Sequence, residues 1–332
     1  MAVLGNEEHK QRLNLSSFAR GVVDMDRGVM DESGTMSGFL NRVIGQFWET
    51  ADASIDVAVE ERRQQLLTSG FQPDMVEKLV TQQRQLLLQK KEAYPQGDSL
   101  TFRLNNENFE RLYTQRAEET SYSAPSKYLK ALVEEYARLS PSERERVYFR
   151  ALIEDTLQPA IDAGYLLSVQ LGQKQFWVKP YNVIADPFNS HLYLVGLSRP
   201  QGSSAQEEVI ASFRITRLGK VRHLSRPSGR LTADDKRRIE KKLQSTGVQY
   251  LIGNSQRIRL RLTETGRREF LQRSYMRPVP ERVEGDVYEF SCTSLQIRNY
   301  FLSFGANAQI LEPESLREAF IEAYRLALES YR

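Results

Sequence analysis

Polar and apolar side chains alternate along KQRLNL at 10–15 and again along SLTFRLN at 99–105. Leu13 and Leu15 fall on one side of the first run, with Lys10, Arg12 and Asn14 on the other. In the second run Leu100, Phe102 and Leu104 oppose Thr101, Arg103 and Asn105. A period of two predicts a half-buried strand in each case, with a polar outer face able to form hydrogen bonds. A helical period follows each strand, from Ser16 to about Asp31 and from Glu107 to about Glu119. Each helix meets a turn of small residues, ESGTMSG or TSYSAPS, that breaks it. A second helix then starts at a serine suited to N-capping, Ser37 or Ser126. Phe39 coincides with Tyr128, Leu40 with Leu129, Val43 with Leu132, Ile44 with Val133 and Phe47 with Tyr136. Arg12-Leu13-Asn14 matches Arg103-Leu104-Asn105. The chain therefore reads as a tandem repeat at 10–48 and 99–138. Between the copies, 51–95 reads as two helices broken at SGFQPD, and their Leu, Val and Met stripe is a packing face.

A further helix, SPSERERVYFRALIEDTLQPAIDAG, precedes a change of character at about Leu166. LLSVQLGQKQFWVKPYNVIADPFNSHLYLVGLS is rich in Val, Leu, Tyr and Phe, with turn residues at Gly172, Asp186-Pro187 and Asn189, and reads as short antiparallel strands. EEVIASFRITRLGKVRHLS adds two more. Short strands at close spacing predict a small barrel that closes its own edges. A charged helix, GRLTADDKRRIEKKLQ, leads to a last stretch that reads strand, helix, strand, helix, strand, helix. Its first strand sets Arg257, Arg259 and Arg261 on one face and Ile258, Leu260 and Leu262 on the other. Three guanidiniums in a row suit a phosphate backbone, and they equally suit a face turned to water.

Composition narrows the function classes. A chain of 332 residues accommodates two or three domains. Its 46 basic and 43 acidic residues nearly cancel, so an anionic partner has to be drawn by local patches. The single cysteine, Cys292, excludes an intramolecular disulfide and a cysteine-based zinc cluster, and its strand-like setting suits a small buried filler. His9, His191 and His223 are far apart in sequence, and no Gly-rich phosphate loop, metal-binding pair or nucleophile elbow occurs. No enzyme activity, cofactor or metal is expected. No run approaches the roughly 18 apolar residues of a membrane span, and no basic-then-apolar signal opens the chain, so a cytoplasmic protein without a membrane partner is expected.

The strand, helix, turn, helix order of the repeat resembles the ribbon-helix-helix family. There two copies pair their strands into an antiparallel ribbon that enters the major groove, and the second helices' N-termini hold flanking phosphates. Arg and Asn can pair with guanine and adenine edges, and a helix N-terminus offers N–H groups to a phosphate. That resemblance makes Arg12, Asn14, Arg103 and Asn105 base readers and Ser37 and Ser126 phosphate anchors, on a ribbon formed within or between chains. The residues also fit a helical dimerisation module whose polar strand faces simply meet water.

KPYNVIADPFNSHLYLVGLS followed by SFRITRLGKVRHL resembles the WYL domain of bacterial regulators. The naming triplet stands as Leu192-Tyr193-Leu194, with leucine in place of the family's tryptophan. Phe213, Arg214, Ile215, Thr216 and Arg217 match its basic segment. In that family an Sm-like barrel presents aromatic and basic residues to an anionic ligand, often a nucleic acid, which implies that role for Tyr193, Arg214 and Arg217. In an unbroken strand Arg214 and Arg217 point to opposite faces, so both reach one site only where the strand ends or bulges between them. YFLSFGANAQILEPESLREAF is similar to the extension that commonly follows a WYL domain, with an aromatic helix ending at Gly305 and a last helix opened by Pro313.

These resemblances imply an α+β chain: a helical ribbon-helix-helix module at 1–140, a helical linker at 141–165, a small Sm-like WYL β-barrel at 166–228 and a ferredoxin-like extension at 229–332. The combination resembles the WYL accessory proteins encoded beside compact RNA-targeting (type VI) CRISPR nucleases, which bind single-stranded RNA and stimulate the nuclease. It implies a homodimeric, non-catalytic protein with single-stranded RNA and a CRISPR effector nuclease as partners. The alternatives are a transcriptional regulator that binds duplex DNA and senses a ligand, and a pure oligomerisation scaffold.

Overall fold

In the computed structural model, residues 9–48, 52–94, 97–115, 122–204, 208–224, 228–251 and 255–332 are described. The chain divides into two compact units, Met1–Glu154 and Asp155–Arg332.

The first unit runs β1 (Lys10–Asn14), α1 (Ser17–Met30), α2 (Met36–Phe47), α3 (Ala53–Thr68), α4 (Pro73–Glu92), β2 (Ser99–Arg103), α5 (Asn106–Glu110), a π-helical turn (Arg111–Gln115), α6 (Pro125–Arg138), α7 (Pro141–Tyr148) and the single turn α8 (Arg150–Leu152). β1 and β2 pair antiparallel, from Lys10 opposite Arg103 to Asn14 opposite Ser99, so the ribbon forms within one chain. Its inward residues Leu13, Leu100 and Phe102 join Phe39, Leu40, Val43, Ile44 and Phe47 of α2 and Tyr128, Leu129, Leu132, Val133 and Tyr136 of α6 in one buried core. Each such burial contributes roughly 1.5–3 kcal/mol, which is why the apolar positions match between the copies. Two long polar groups enter this core only in company. The Tyr136 hydroxyl donates to Asp26 Oδ2 at 2.8 Å, and Arg144 Nε donates to the same oxygen at 2.7 Å.

The structure moves the repeat by two residues at the strands. The second helices match at the step of 89 that separates Phe39 from Tyr128, and the caps that follow the two strands stand at the same step. Ser16, whose hydroxyl accepts from Ala19 N, is then equivalent to Asn105, whose side chain accepts from Asn108 N. Arg12 is equivalent to Thr101, and the two face each other in the ladder, as a two-fold axis through the ribbon requires. The sequence match of Arg12-Leu13-Asn14 to Arg103-Leu104-Asn105 was therefore out of step. A slip of two leaves every side chain on its own face, so alternation alone is blind to it. The copies also differ in their first helices: α1 spans 14 residues, whereas α5 spans five and passes into the π-helical turn. The expected end of that helix near Glu119 lies outside the described residues.

The second unit opens with α9 (Gln158–Ala163), which stops at Gly164 with φ 70, a left-handed cap that suits glycine. Then come β3 (Leu167–Leu171), β4 (Lys174–Ala185), β5 (Leu192–Pro200), β6 (Val209–Arg214) and β7 (Leu218–His223), in the sheet order β6-β5-β4-β3-β7. The two edge strands are consecutive in the chain, joined by one 3-10 turn at Ile215–Arg217. Three residues cannot cross a flat five-stranded sheet, so the sheet curls into a small barrel. Leu167, Val169, Val178, Leu192, Leu194, Phe213 and Ile215 are buried. β4 tolerates Pro180 because its register with β5 shifts between Pro180 and Asn182.

α10 (Ala233–Thr246) starts at a capping box in which Thr232 and Asp235 satisfy each other's backbone N–H groups. Beyond it lie β8 (Gln256–Leu262), α11 (Glu264–Gln272), β9 (Arg282–Glu284), β10 (Val287–Cys292), α12 (Ser294–Phe301), β11 (Ala308–Glu312) and α13 (Glu314–Glu329). The antiparallel sheet order β11-β8-β10-β9 on a βαββαβ path is the ferredoxin-like arrangement. β9 is the strand that the pattern did not announce, since its three residues are all exposed and show no alternation. Phe270, Phe290, Phe301 and Phe304 pack the core of this domain with Tyr300. Cys292 is buried there, and burial pushes its thiol up to about 12. No helix among the described residues is long and apolar enough to cross a membrane.

Candidate nucleic-acid interface

The three barrel residues singled out by sequence are brought to neighbouring positions. Tyr193 on β5 stands opposite Ile184 on β4 and opposite Arg214 on β6. Directly opposed residues of an antiparallel pair share a face, so Tyr193 and Arg214 project together. That face is the outer one, because Leu192 and Leu194 on either side of Tyr193 are buried in the barrel. It is covered in part. Val195 and Leu197 pack with Leu231, Ile239, Val248 and Leu251, and Tyr181, Ile184, Tyr193, Ile210 and Leu243 close around them. Tyr193 is thus half-buried, with its ring in an apolar setting beside a guanidinium. The β6 strand ends at Arg214, and Arg217 closes the adjoining 3-10 turn. The geometric condition on Arg214 and Arg217 is met by that break. Arg217 is exposed and has no hydrogen-bond or ion-pair partner among the described residues, whereas Ile215 beside it is buried and anchors the turn.

On the ribbon, Arg12, Asn14 and Arg103 lie on the exposed face together with Lys10, Ser99 and Thr101. Arg12 Nε donates to Ser99 Oγ at 2.6 Å across the ladder. Asn105 is not on this face. β2 ends at Arg103, and Asn105 Oδ1 accepts from Asn108 N at 2.8 Å as a helix cap, which places Asn105 off the ribbon rather than among its readers. Lys10 and Thr101 were named as polar-face residues but not as readers; the alternation itself was the signal that places them there.

The two serines are not the caps. Thr35 caps α2, its Oγ1 accepting from Gly38 N at 3.0 Å, and the Ser37 hydroxyl accepts from Arg103 N at 3.2 Å instead. Ser37 therefore fastens the helix to the ribbon. At α6 the cap position is Ala124, next to Pro125, and Ser126 is exposed in the first turn. A carboxylate stands beside that helix start: Glu92 accepts from Ser123 N at 2.7 Å, Ser123 Oγ at 2.9 Å and Lys127 Nζ at 2.9 Å. Burial would raise the Glu92 carboxyl, but Lys127 and the two Ser123 donors outweigh it and hold the group below its ordinary value. A negative group thus already sits beside the start of the helix that carries Ser126.

Arg257, Arg259 and Arg261 do share one face of β8, but each has an acidic partner. Arg257 grips Glu289 through both oxygens at 2.5 and 2.7 Å, Arg259 lies 3.0 Å from Glu312, and Arg261 lies 3.1 Å from Asp286. The row is an ion-pair ladder rather than a run of free cations, because Glu289 of β10, Glu312 of β11 and Asp286 just before β10 lie beside it.

A polar cleft of about 650 Å³ opens in the first unit between α2 and α5, lined among others by Asn41, Arg42, Asn105, Asn108, Arg111 and Arg150. Its amides are spent internally. Asn41 Nδ2 donates to Ser37 O and Arg103 O at 2.7 Å each, and Asn108 Nδ2 donates to Asn41 O at 2.8 Å. Arg111 and Arg150 pair with Glu107 and Glu154 at 3.0 and 2.9 Å. The cleft reads as the knot that ties β2 to α2.

Comparison with known proteins bears on the domain that carries the arginine row and on the fold of the whole chain. Residues 254–328 match the WCX domain. A protein described as a CRISPR Cas-related protein, known from a crystal structure, superposes with a TM-score of 0.75 at 22% identity, covering 97% of this chain and 94% of that one. At that identity the likeness establishes the fold. Proteasome accessory factor B/C (PafBC) of Arthrobacter aurescens overlaps 70% of this chain and 37% of its own at 15% identity, with a TM-score of 0.28, from which nothing is drawn. No curated protein matches the sequence.

Proposed function

We propose that this chain is a non-catalytic regulatory protein that binds single-stranded RNA on its central barrel and stimulates an RNA-targeting CRISPR nuclease. The observation that carries the reading is the Tyr193–Arg214 pair with Arg217 at the adjoining strand end. Single-stranded nucleic acid is held by aromatic rings that stack on bases and by cations along the backbone, and this corner supplies both. The WCX match at 254–328 supports a WYL-type organisation for residues 166–228 and the extension after them. The description of the similar structure as CRISPR Cas-related supports the nuclease partner. No cofactor or metal enters the reading, and a cytoplasmic setting follows from the partners it names.

A second reading makes the chain a duplex-DNA regulator of ribbon-helix-helix type whose barrel senses a ligand. It is supported by the exposed ribbon face with Arg12, Asn14 and Arg103. Affinity for single-stranded RNA compared with duplex promoter DNA separates the two readings. Tight RNA binding that also raises nuclease turnover supports the first, and DNA binding alone replaces it with the second.

The homodimer that the resemblance implies draws on neither the ribbon strands nor the aromatic helix that ends at Gly305. The ribbon pairs β1 with β2, and the aromatic residues Tyr300, Phe301 and Phe304 are buried against their own sheet. Light scattering at micromolar concentration decides the assembly.

A further inference from the structure

One row of side chains crosses four strands of the barrel. Arg222 on β7 stands opposite Ser168 on β3, Ser168 opposite Trp177 on β4, and Trp177 opposite Arg199 on β5. Opposed residues share a face, and the flanking Leu167, Val169 and Val178 are buried, so the row points out of the barrel. Strands lie roughly 5 Å apart, which places Arg222 and Arg199 on either side of the indole. Trp177 is only partly covered, and Arg222 is exposed. Lys220, two residues before Arg222 where β7 bulges against β3, is exposed as well.

The charge of this surface is unbalanced. Glu208 accepts from Lys179 at 2.8 Å and lies 3.7 Å from Arg199 Nε, so one carboxylate serves two cations. Arg199 is also held by the Ser203 carbonyl. Arg222 and Lys220 have no hydrogen-bond or ion-pair partner among the described residues. Elsewhere on the same outer face apolar residues lie under cover: Val195 and Leu197, on the Arg199 side of β5, are buried in the cluster that includes Ile239 of α10. At Arg199 that apolar covering gives way to a ring and cations, a composition that suits a nucleic-acid strand better than a packing face.

We propose that Trp177, Arg222 and Lys220 form a second contact for single-stranded RNA, the indole stacking on a base and the two cations taking backbone phosphates. It rests on the proposed RNA binding but not on the Tyr193 site. Six steps along β5 lead from Tyr193 to Arg199, roughly 20 Å of extended strand, so the two contacts are distinct and one RNA strand several nucleotides long reaches both.

The chain's only other tryptophan, Trp48, is buried out of reach of a base, so quenching of indole emission by added RNA reports on Trp177. The test titrates the full chain with a single-stranded oligouridylate, following emission and affinity at two salt concentrations. The parent is expected to quench. Trp177→Ala is expected to lower affinity about five- to hundredfold, the usual range for one stacked base, and Trp177→Phe to restore most of it. Arg222→Ala combined with Lys220→Ala is expected to flatten the salt dependence by between one and two charges, and it reports independently should Trp177→Ala fail to fold. Parent-like affinity and salt slope in both sets of variants overturn this contact and leave the Tyr193 site standing. A parent chain that binds no single-stranded RNA overturns the proposed function itself.

Discussion

Tyr193 and Arg214 face each other across the β5–β6 ladder, with the phenol ring half-sunk in the apolar cluster that joins the barrel to α10. One residue thus serves packing and, under the proposed function, base stacking. Tyr193→Ala is expected to lower both the melting temperature and RNA affinity, the latter by roughly 1–3 kcal/mol. Tyr193→Phe keeps the ring and should preserve most of the RNA affinity. A Tyr193→Ala chain that melts early yet binds RNA like the parent would reduce Tyr193 to a packing residue.

Arg217 offers the cleaner electrostatic probe, because it is exposed beyond the end of β6 and carries no ion pair among the described residues. Arg217→Ala is expected to leave the melting temperature unchanged. It should weaken RNA binding and reduce the salt slope by about 0.7, the share of one phosphate contact on a single strand. Affinities at two salt concentrations check this.

The arginine row of β8 is expected to behave otherwise. The Glu289 carboxylate raises Arg257, Arg257 in turn holds Glu289 below the ordinary carboxylate range, and the other two arginines have acids of their own. Arg257→Ala and Arg261→Ala should leave RNA affinity and its salt slope where they are. A loss of slope in either variant would show that the ladder opens to admit phosphate.

Asp26 and Arg144 form a buried pair, 5% and 8% exposed, with the Tyr136 hydroxyl as third member. Arg144→Met strands a buried carboxylate, and such a break costs about 3–5 kcal/mol. Asp26→Leu combined with Arg144→Met removes both charges and should lose less than the single change. Urea unfolding of the three chains checks the order.

Glu92 ties α4 to the start of α6, and its carboxyl is held below the ordinary 4.5 of glutamate. A lowered folded-state value means that the stabilisation is whole above 4.5 and is lost as pH falls through the lower folded value. Glu92→Gln should therefore cost on the order of 1 kcal/mol at neutral pH, with the difference fading in acid. Melting curves from pH 7 down through the carboxylate range would follow it.

Much of this protein was legible along the chain. Period-two alternation placed β1 and β2 and the face that Arg12 and Asn14 share with Lys10. The coincidence of Phe39 with Tyr128 and of Phe47 with Tyr136 announced the repeat, because helix faces that bury against each other keep their apolar positions. The run of short strands led to the barrel. These are local properties: a residue's periodicity and its turn neighbours are written in its own segment.

What the tertiary structure alone decided was partnership. Whether the ribbon closes within the chain depends on β1 meeting a strand some ninety positions away. Asn105 looked like a reader because it continued an alternation, and only the end of β2 made it a cap. Ser37 looked like a cap until Arg103 arrived to take its hydroxyl, and the start of α6 looked open to phosphate until Glu92 came across from α4 to Ser123 and Lys127. The guanidiniums of β8 looked free until the sheet laid Glu289 and Glu312 beside them. Trp177 gained its arginine neighbours only when β3, β5 and β7 lined up around it. A side chain's chemistry is fixed by its type, but what it pairs with depends on register, and register between distant strands is settled by the burial of the whole core at once.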